Sequence, residues 1–276
     1  MGAQRTDREG LNRMYPESIP DIHRDFTESL SKKMKENPEV LGVAAGSYAT
    51  NTMDDFSDLD FILFVSRSHM NTETKIAWAQ SWGDLLSAFS GEHVGMPNLL
   101  ICLYGNPLLH VDFNFLCIED TYTCMHPPVI LWQKDECFEN RIQITKPEKV
   151  EFDIQWVEDR FWVWVHYAAA KIGRGEYFEV LDTLGFLPKE VLVPMYSYLK
   201  HVSFVGVRRI EESFPTWSRE LSKTVCATEP LSLIESLQTA AQMYLGLRDS
   251  FLDVRRNKRA EQNSMQYLSE LKARLI

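Results

Sequence analysis

Two aspartates separated by one residue open an apolar stretch of the sequence. Asp58 and Asp60 begin the run Asp-Leu-Asp-Phe-Ile-Leu-Phe over residues 58–64, a composition typical of a buried β-strand. Because successive side chains of a strand point to opposite faces, Asp58 and Asp60 should point the same way. Neighbouring carboxylates repel each other, and a divalent cation that prefers hard oxygen ligands explains the presence of both. The pair therefore predicts a metal site at the start of a strand.

A glycine–serine pair precedes these acids and follows another apolar run. Residues 40–45 predict a strand, Gly46 and Ser47 a turn, and residues 50–57 a polar loop. Glycine allows backbone N–H groups to approach a phosphate closely, and serine adds a hydroxyl donor. Gly46 and Ser47 are therefore candidates for binding phosphate groups.

Polar and apolar side chains alternate along residues 108–115, which predicts a strand with one polar face. The polar face carries His110, Asp112 and Asn114. Asp112 is the acid of this face, and His110 either contacts a substrate or forms a hydrogen bond within the sheet.

The order Gly46-Ser47, Asp58-x-Asp60 and Asp112 resembles the signature of the DNA polymerase beta-like nucleotidyltransferase superfamily. The similarity is greatest to the bacterial aminoglycoside and lincosamide nucleotidyltransferases, and its motifs cover roughly the first half of the chain. The resemblance implies an α/β fold, the mixed-sheet nucleotidyltransferase fold, with a C-terminal all-α helical bundle domain. It also implies that the helical domain closes the nucleotide cleft.

The reaction that this resemblance implies is Mg²⁺-dependent transfer of a nucleoside monophosphate, AMP from ATP, to a hydroxyl of a small molecule. The acceptor would be an aminoglycoside or a lincosamide, with a role in antibiotic resistance. Asp58, Asp60 and Asp112 would be catalytic and would hold one or two Mg²⁺ ions, while Gly46 and Ser47 would bind the β- and γ-phosphates. Asp112 would either share the second ion or take the proton of the acceptor hydroxyl. The alternatives are nucleotidylation of a protein or metabolite, and a degenerate nucleotide-binding module without catalysis.

One face of a predicted helix over residues 151–174 carries three cations interleaved with two aromatic residues, at steps of four, three, four and three. These are Arg160, Trp164, Tyr167, Lys171 and Arg174. The stripe is either a partly exposed helix face or a face directed at the nucleotide, with Lys171, Arg160 or Arg174 neutralising the triphosphate. We expect Lys171 to bind the nucleotide.

Glu158 and Asp159 lie in the first half of the same predicted helix. In some relatives an acid of the second domain is the general base, so Glu158 is an alternative to Asp112. The other interpretation is that acids near a helix N-terminus are favoured by its dipole.

The composition excludes some classes of protein. The net charge is −10, whereas a protein that binds nucleic acid usually has a basic face, so we expect no nucleic-acid partner. No apolar run is long enough to cross a membrane and the sequence starts without a secretory signal, so we expect no membrane partner.

The five cysteines include no Cys-x-x-Cys pair and predict free thiols in a cytoplasmic protein. The sequence leaves monomer and homodimer open.

Apolar periodicity predicts two domains, over residues 1–145 and 146–276. The resemblance implies that the first is the catalytic domain and that the second, helical domain closes on substrate and nucleotide. In the first, we expect helices over 22–35 and 71–90, strands over 99–104 and 108–117 joined by a Gly-Asn-Pro turn, and a short edge strand at 129–131. In the second, we expect helices over 150–173, 176–185, 188–201, 205–213, 229–257 and 263–275.

Overall fold

The computed structural model describes residues 15, 17–145, 152–202 and 206–275. The chain divides into two compact units, Met1–Pro147 and Glu148–Ile276.

The N-terminal unit combines strands and helices. Its elements in chain order are α1 (Asp21–Glu36), β1 (Val40–Ala45), β2 (Leu59–Val65), α2 (Thr72–Trp82), β3 (Leu85–Gly91), β4 (Met96–Tyr104), β5 (Leu109–Cys117), β6 (Tyr122–Cys124), β7 (Val129–Gln133) and β8 (Ile142–Ile144). Short 3₁₀ turns cover Ser47–Thr50, Arg67–His69 and Glu92–Val94.

Six strands form one mixed sheet in the order β3-β4-β5-β2-β1-β7. The pair β2 and β5 is parallel, and the other neighbours are antiparallel. Strands β6 and β8 form a separate parallel pair. The strand β7 is the predicted edge strand. The predicted α/β class with a mixed sheet is therefore confirmed.

The two faces of the sheet are buried to different extents. On one face, Phe61 and Phe113 stack at 5.8 Å and pack with Trp82 of α2 and Leu30 of α1. Burying such a side chain stabilises the fold by about 1.5–3 kcal/mol. On the other face, a smaller cluster around Phe138 covers only part of β1 and β2. The polar side chains of β2 and β5 lie on this second face, which we call the site face.

The prediction of one helix over residues 71–90 is wrong in its second half. Asn71 caps α2 by accepting a hydrogen bond from Thr74 N at 2.8 Å, and α2 ends at Trp82. Gly83 follows, where a Cβ atom would lie 2.9 Å from the ring of Tyr104, so the chain passes too close to that ring for any other residue. Residues 85–91 then form β3 and pair with β4. The hydrogen bonds and packing contacts of the sheet stabilise this strand more than the helical spacing of its apolar residues would stabilise a helix.

The first helix buries apolar side chains mainly towards its C-terminal end. Leu30 and Met34 are buried, but the side chain of Ile22 is 45% exposed. His23 is buried instead, with its Nε2 2.7 Å from the carbonyl oxygen of Ser57. A hydrogen bond to the chain thus determines which residue of the first turn faces inward.

The C-terminal unit is helical in its described part, as predicted. Its elements are α3 (Ile154–Arg174), α4 (Tyr177–Phe186), a π-helical segment (Leu187–Leu192), α5 (Val193–Lys200), α6 (Ile210–Ser213), α7 (Pro215–Leu221), a 3₁₀ turn (Ser222–Thr224), α8 (Pro230–Arg248) and α9 (Lys258–Leu275). Its core is built on α3 and α8, where Phe161 and Tyr244 stack at 3.7 Å. No helix in this or the other described segments is long and apolar enough to cross a membrane.

Several helix boundaries differ from the predicted ones. The helix expected over 229–257 ends at Arg248, because the following segment turns so that Asn257 N can donate to the buried Glu158 carboxylate at 2.9 Å. Helix α7 was not predicted, and α6 covers only part of the predicted 205–213, of which residue 205 lies outside the described residues. Residues 150 and 151, the predicted start of α3, also lie outside the described residues.

Candidate functional site

The register of β2 and β5 places two of the predicted acids side by side. Asp60 and Asp112 are Cα partners on these parallel strands, so their side chains emerge from the same face at neighbouring positions, about 5 Å apart along the sheet. Asp58 lies one residue before β2. The strand pairing therefore brings residues 52 positions apart in sequence into one site.

The carboxyl group of Asp112 lies in an environment that disfavours its charge. Its side chain is 17% exposed, and Oδ1 is buried. His110 Nε2 lies 2.9 Å from Oδ1. Burial raises the pKa of Asp112, His110 partly opposes this rise in pKa, and the charge of Asp58 adds to it. Asp112 is thus suited to holding a proton or contacting a cation.

A pocket of about 380 Å³ opens over these acids on the site face. Its lining combines carboxylates, neutral polar groups and methionines: Gly46, Ala49, Thr50, Asp60, Phe61, Ile62, Met96, Leu99, Asp112, Asn114, Tyr122, Met125, His126 and Pro128. The pocket is large enough for a small-molecule ligand.

Three polar residues that line this pocket were not predicted from the sequence as site residues. Asn114 follows Asp112 by two residues and is the Cα partner of Ile62, so the alternation along β5 was a usable signal. Tyr122 and His126 come from the segment around β6, and no motif marks them. The pKa of Tyr122 is raised by burial, with smaller contributions from Cys124 and the charge of Asp60, which places this phenol within electrostatic reach of Asp60.

The glycine–serine turn is joined to the backbone of Asp60. Gly46 N donates to Asp60 O at 2.8 Å, and Asp60 N donates to Ser47 Oγ at 3.3 Å. The Gly46 N–H is thus engaged with the sheet, whereas the hydroxyl hydrogen of Ser47 can still be donated to a ligand. A Cβ atom on Gly46 would lie 3.7 Å from Asp60 Cβ, an ordinary contact distance. The sheet tolerates a side chain here, so packing alone does not require the glycine.

The acids fit a Mg²⁺ site of the kind that shares its cation with a substrate. In the described part of the chain, no three His, Cys, Asp or Glu side chains cluster closely enough to form a complete metal site. Mg²⁺ is commonly held by one or two carboxylates, with waters and substrate phosphates at its other positions. Asp60 and Asp112 would supply two carboxylates, and both side chains line the same pocket. A direct contact between Asp58 and the metal stays a prediction.

The cations predicted for the triphosphate are engaged within the helical unit. Lys171 donates to Glu176 and lies 5.2 Å from the ring centroid of Tyr167. The hydrogen bond to Glu176 raises the pKa of Lys171, so the lysine is charged. Arg174 Nη1 lies 3.7 Å from the same glutamate. Arg160 stacks on Trp156 at 4.3 Å.

Glu158, the alternative general base, is buried inside the helical unit. Its carboxylate accepts hydrogen bonds from four groups: Tyr244 Oη, Trp162 Nε1, Asn257 N and Arg248 Nη1. Its side chain is 0% exposed, and a carboxylate so fully engaged cannot reach a substrate. Glu158 therefore joins α3, α8 and the start of α9, whereas Asp112 lines the pocket on the site face.

Replacing Arg248 by methionine is expected to destabilise the helical unit by about 3–5 kcal/mol, because Glu158 would remain as a buried charge without its ion-pair partner. Urea unfolding followed by far-UV circular dichroism, which reports the helix content, measures this loss. Lys272→Met is the control, because its partner Glu235 is 63% exposed and exposed pairs contribute about 0–1 kcal/mol. Equal losses in the two variants would contradict a structural role for the buried pair.

Comparison with known proteins leaves the family open. No family model matches the chain, and no curated protein matches it. The crystal structure of an aminoglycoside 6-adenyltransferase from Bacillus subtilis aligns with 89% of this chain and 97% of its own, at 14% identity and a TM-score of 0.38. A TM-score this low does not establish a common fold, so the function is inferred from the site itself.

Proposed function

We propose that this protein is a Mg²⁺-dependent nucleotidyltransferase that transfers AMP from ATP to a hydroxyl group of a small molecule. The observation that carries the proposal is the pairing of Asp60 and Asp112 on adjacent parallel strands, facing one pocket beside the Gly46–Ser47 turn. The motif order and the resemblance that it shows support the same reaction.

The transfer forms one bond and breaks one bond. The acceptor oxygen bonds to the α-phosphorus of ATP, the bond from that phosphorus to the bridging oxygen breaks, and pyrophosphate leaves with the electron pair. Mg²⁺, when bound, supplies charge stabilisation for the phosphate oxygens.

Each residue of the site would have its own role in this reaction. Asp60, with Asp58 and Asp112 beside it, would hold the cation, and the Ser47 hydroxyl would donate to a phosphate oxygen. Asp112 would either share a second ion or take the acceptor proton. Burial raises its pKa, which makes the carboxylate a stronger base. General-base help of this kind contributes about 10²–10⁴ in rate.

Mass spectrometry tests the reaction. The protein is incubated with Mg²⁺, ATP and a pooled panel of aminoglycosides, lincosamides and amino sugars, and the expected result is a gain of one AMP on a member of the panel. A gain that persists without Mg²⁺ would contradict metal dependence. No gain, together with no Mg²⁺-dependent ATP binding in a thermal-shift assay, would favour a degenerate module.

We further propose that Lys171 neutralises the triphosphate, in exchange for its pairing with Glu176. Lys171→Ala is expected to raise the KM for ATP about tenfold, since a charge-assisted hydrogen bond contributes about 1.5–3 kcal/mol. Lys200→Ala is a matched control, because Lys200 likewise lies over a tyrosine ring, 5.6 Å from the centroid of Tyr196. An unchanged KM in the Lys171 variant would assign this lysine to the helix surface alone.

A further inference from the structure

The site face continues beyond the two acids as an uncharged, apolar surface. Ile101 of β4 is the Cα partner of Asp112, and Phe89 of β3 is the Cα partner of Ile101. Partners on neighbouring strands point to the same face, so one row across the sheet runs Asp60, Asp112, Ile101, Phe89.

Two further residues widen this row into a surface. Leu99 and Leu103 lie on either side of Ile101 on β4, two positions away, and so point to the same face. We name Phe89, Leu99, Ile101 and Leu103 the apolar shelf. Phe89 is 49% exposed and Leu103 is 38% exposed, and Leu99 and Ile101 are half-buried.

The shelf carries no formal charge anywhere along its two strands. Residues 85–91 and 96–104 include no Asp, Glu, Lys or Arg, although charged residues make up 25% of the chain. Leu99 and Met96 also line the pocket over the acids, so the shelf is continuous with the site. An exposed apolar surface beside polar groups is typical of a ligand-binding surface.

The geometry of the proposed transfer decides which reactant the shelf contacts. In an in-line displacement the acceptor oxygen attacks the phosphorus from the side opposite the leaving group. The Gly46–Ser47 turn, where the leaving phosphates would bind, follows β1 and lies on one side of Asp60, and Asp112 and the shelf lie on the other side. The acceptor must therefore approach from the shelf, which starts about 5 Å from Asp112 and extends to about 10 Å.

We propose that the apolar shelf is the acceptor subsite and that it selects a hydroxyl compound with an uncharged, apolar portion about 5–10 Å from the reacting oxygen. This inference rests on the proposed function, since it takes its direction from the transfer geometry. A polycation would gain nothing from the shelf, because its two strands supply no carboxylate.

Matched glucosides test the shelf by binding, and AMP transfer from ATP is measured separately. Methyl and phenyl β-glucoside have the same hydroxyls and differ in one apolar group. Their binding is measured by saturation-transfer NMR with Mg²⁺ and α,β-methylene-ATP, which cannot transfer AMP. We expect phenyl glucoside to bind at least tenfold more tightly, and Phe89→Ser to abolish this preference. Phe178→Ser, at a phenylalanine that is 82% exposed in the helical unit, should retain the preference.

The two readouts separate the inference from the function. Equal binding of the two glucosides, absence of binding, or an unchanged preference in Phe89→Ser would overturn the shelf as acceptor subsite. Selective binding of phenyl glucoside without AMP transfer from ATP to any hydroxyl compound would overturn the proposed reaction and retain the shelf as a binding surface.

Discussion

Replacing Asp60 by asparagine is expected to abolish nucleotidyl transfer, with a loss of at least about 10³-fold in kcat. The amide would remove one of the two carboxylates paired across β2 and β5. Metal-ion charge stabilisation contributes several kcal/mol, and each 1.36 kcal/mol changes the rate tenfold. The rate of AMP incorporation, measured by mass spectrometry at saturating ATP, gives the effect directly.

The same variant should retain its fold. Asparagine has nearly the shape of aspartate, and the backbone bonds from the Gly46–Ser47 turn to residue 60 do not involve the carboxylate. Asp55→Asn, in the exposed loop before β2, is the matched control and should keep full activity. Near-normal transfer by the Asp60 variant, with its fold intact, would show that the metal site lies elsewhere.

Replacing Asp112 by asparagine is expected to reduce transfer by about 10²–10⁴-fold, the usual contribution of a general base, and also to stabilise the fold at neutral pH. The second effect follows from burial, which raises the pKa of Asp112 above that of an exposed carboxyl group. Each kcal/mol gained raises the Tm of a domain of this size by about 2–4 °C. Thermal unfolding without Mg²⁺ measures the change in Tm.

The stability gained by replacing Asp112 should increase with pH. With a raised pKa in the folded state, the folded protein binds the Asp112 proton more tightly than the unfolded chain does. That contribution to stability is complete below the unfolded pKa and is lost as the pH rises through the folded pKa. The Tm advantage of the asparagine variant should therefore be small near pH 4 and larger at pH 7.

Added Mg²⁺ gives the control. It should raise the Tm of the wild-type protein, because a ligand that binds the folded state stabilises it, and should have little effect on the Asp112 variant. A lower Tm for the variant at pH 7 without Mg²⁺ would identify Asp112 as a structural hydrogen-bond acceptor rather than a destabilised carboxylate.

The residue patterns of the chain determined its class and its candidate chemistry. Strand alternation around Asp112 and the apolar run after Asp60 predicted two strands that the structure contains. These signals are local, because side-chain periodicity depends only on the conformation of the segment that carries it. The helical periodicity after residue 150 likewise predicted the helical unit, although not the ends of its helices.

Only the tertiary structure decided which residues meet. The register of β2 and β5 pairs Asp60 with Asp112, and His126 reaches the same pocket from a segment without a motif. Residues 85–91 became an edge strand because β4 offered hydrogen bonds, despite a helical pattern. Glu158, a candidate base by sequence, is buried among Tyr244, Arg248 and other donors. Each outcome depends on contacts with residues outside the segment concerned, and the periodicity of that segment carries no record of them.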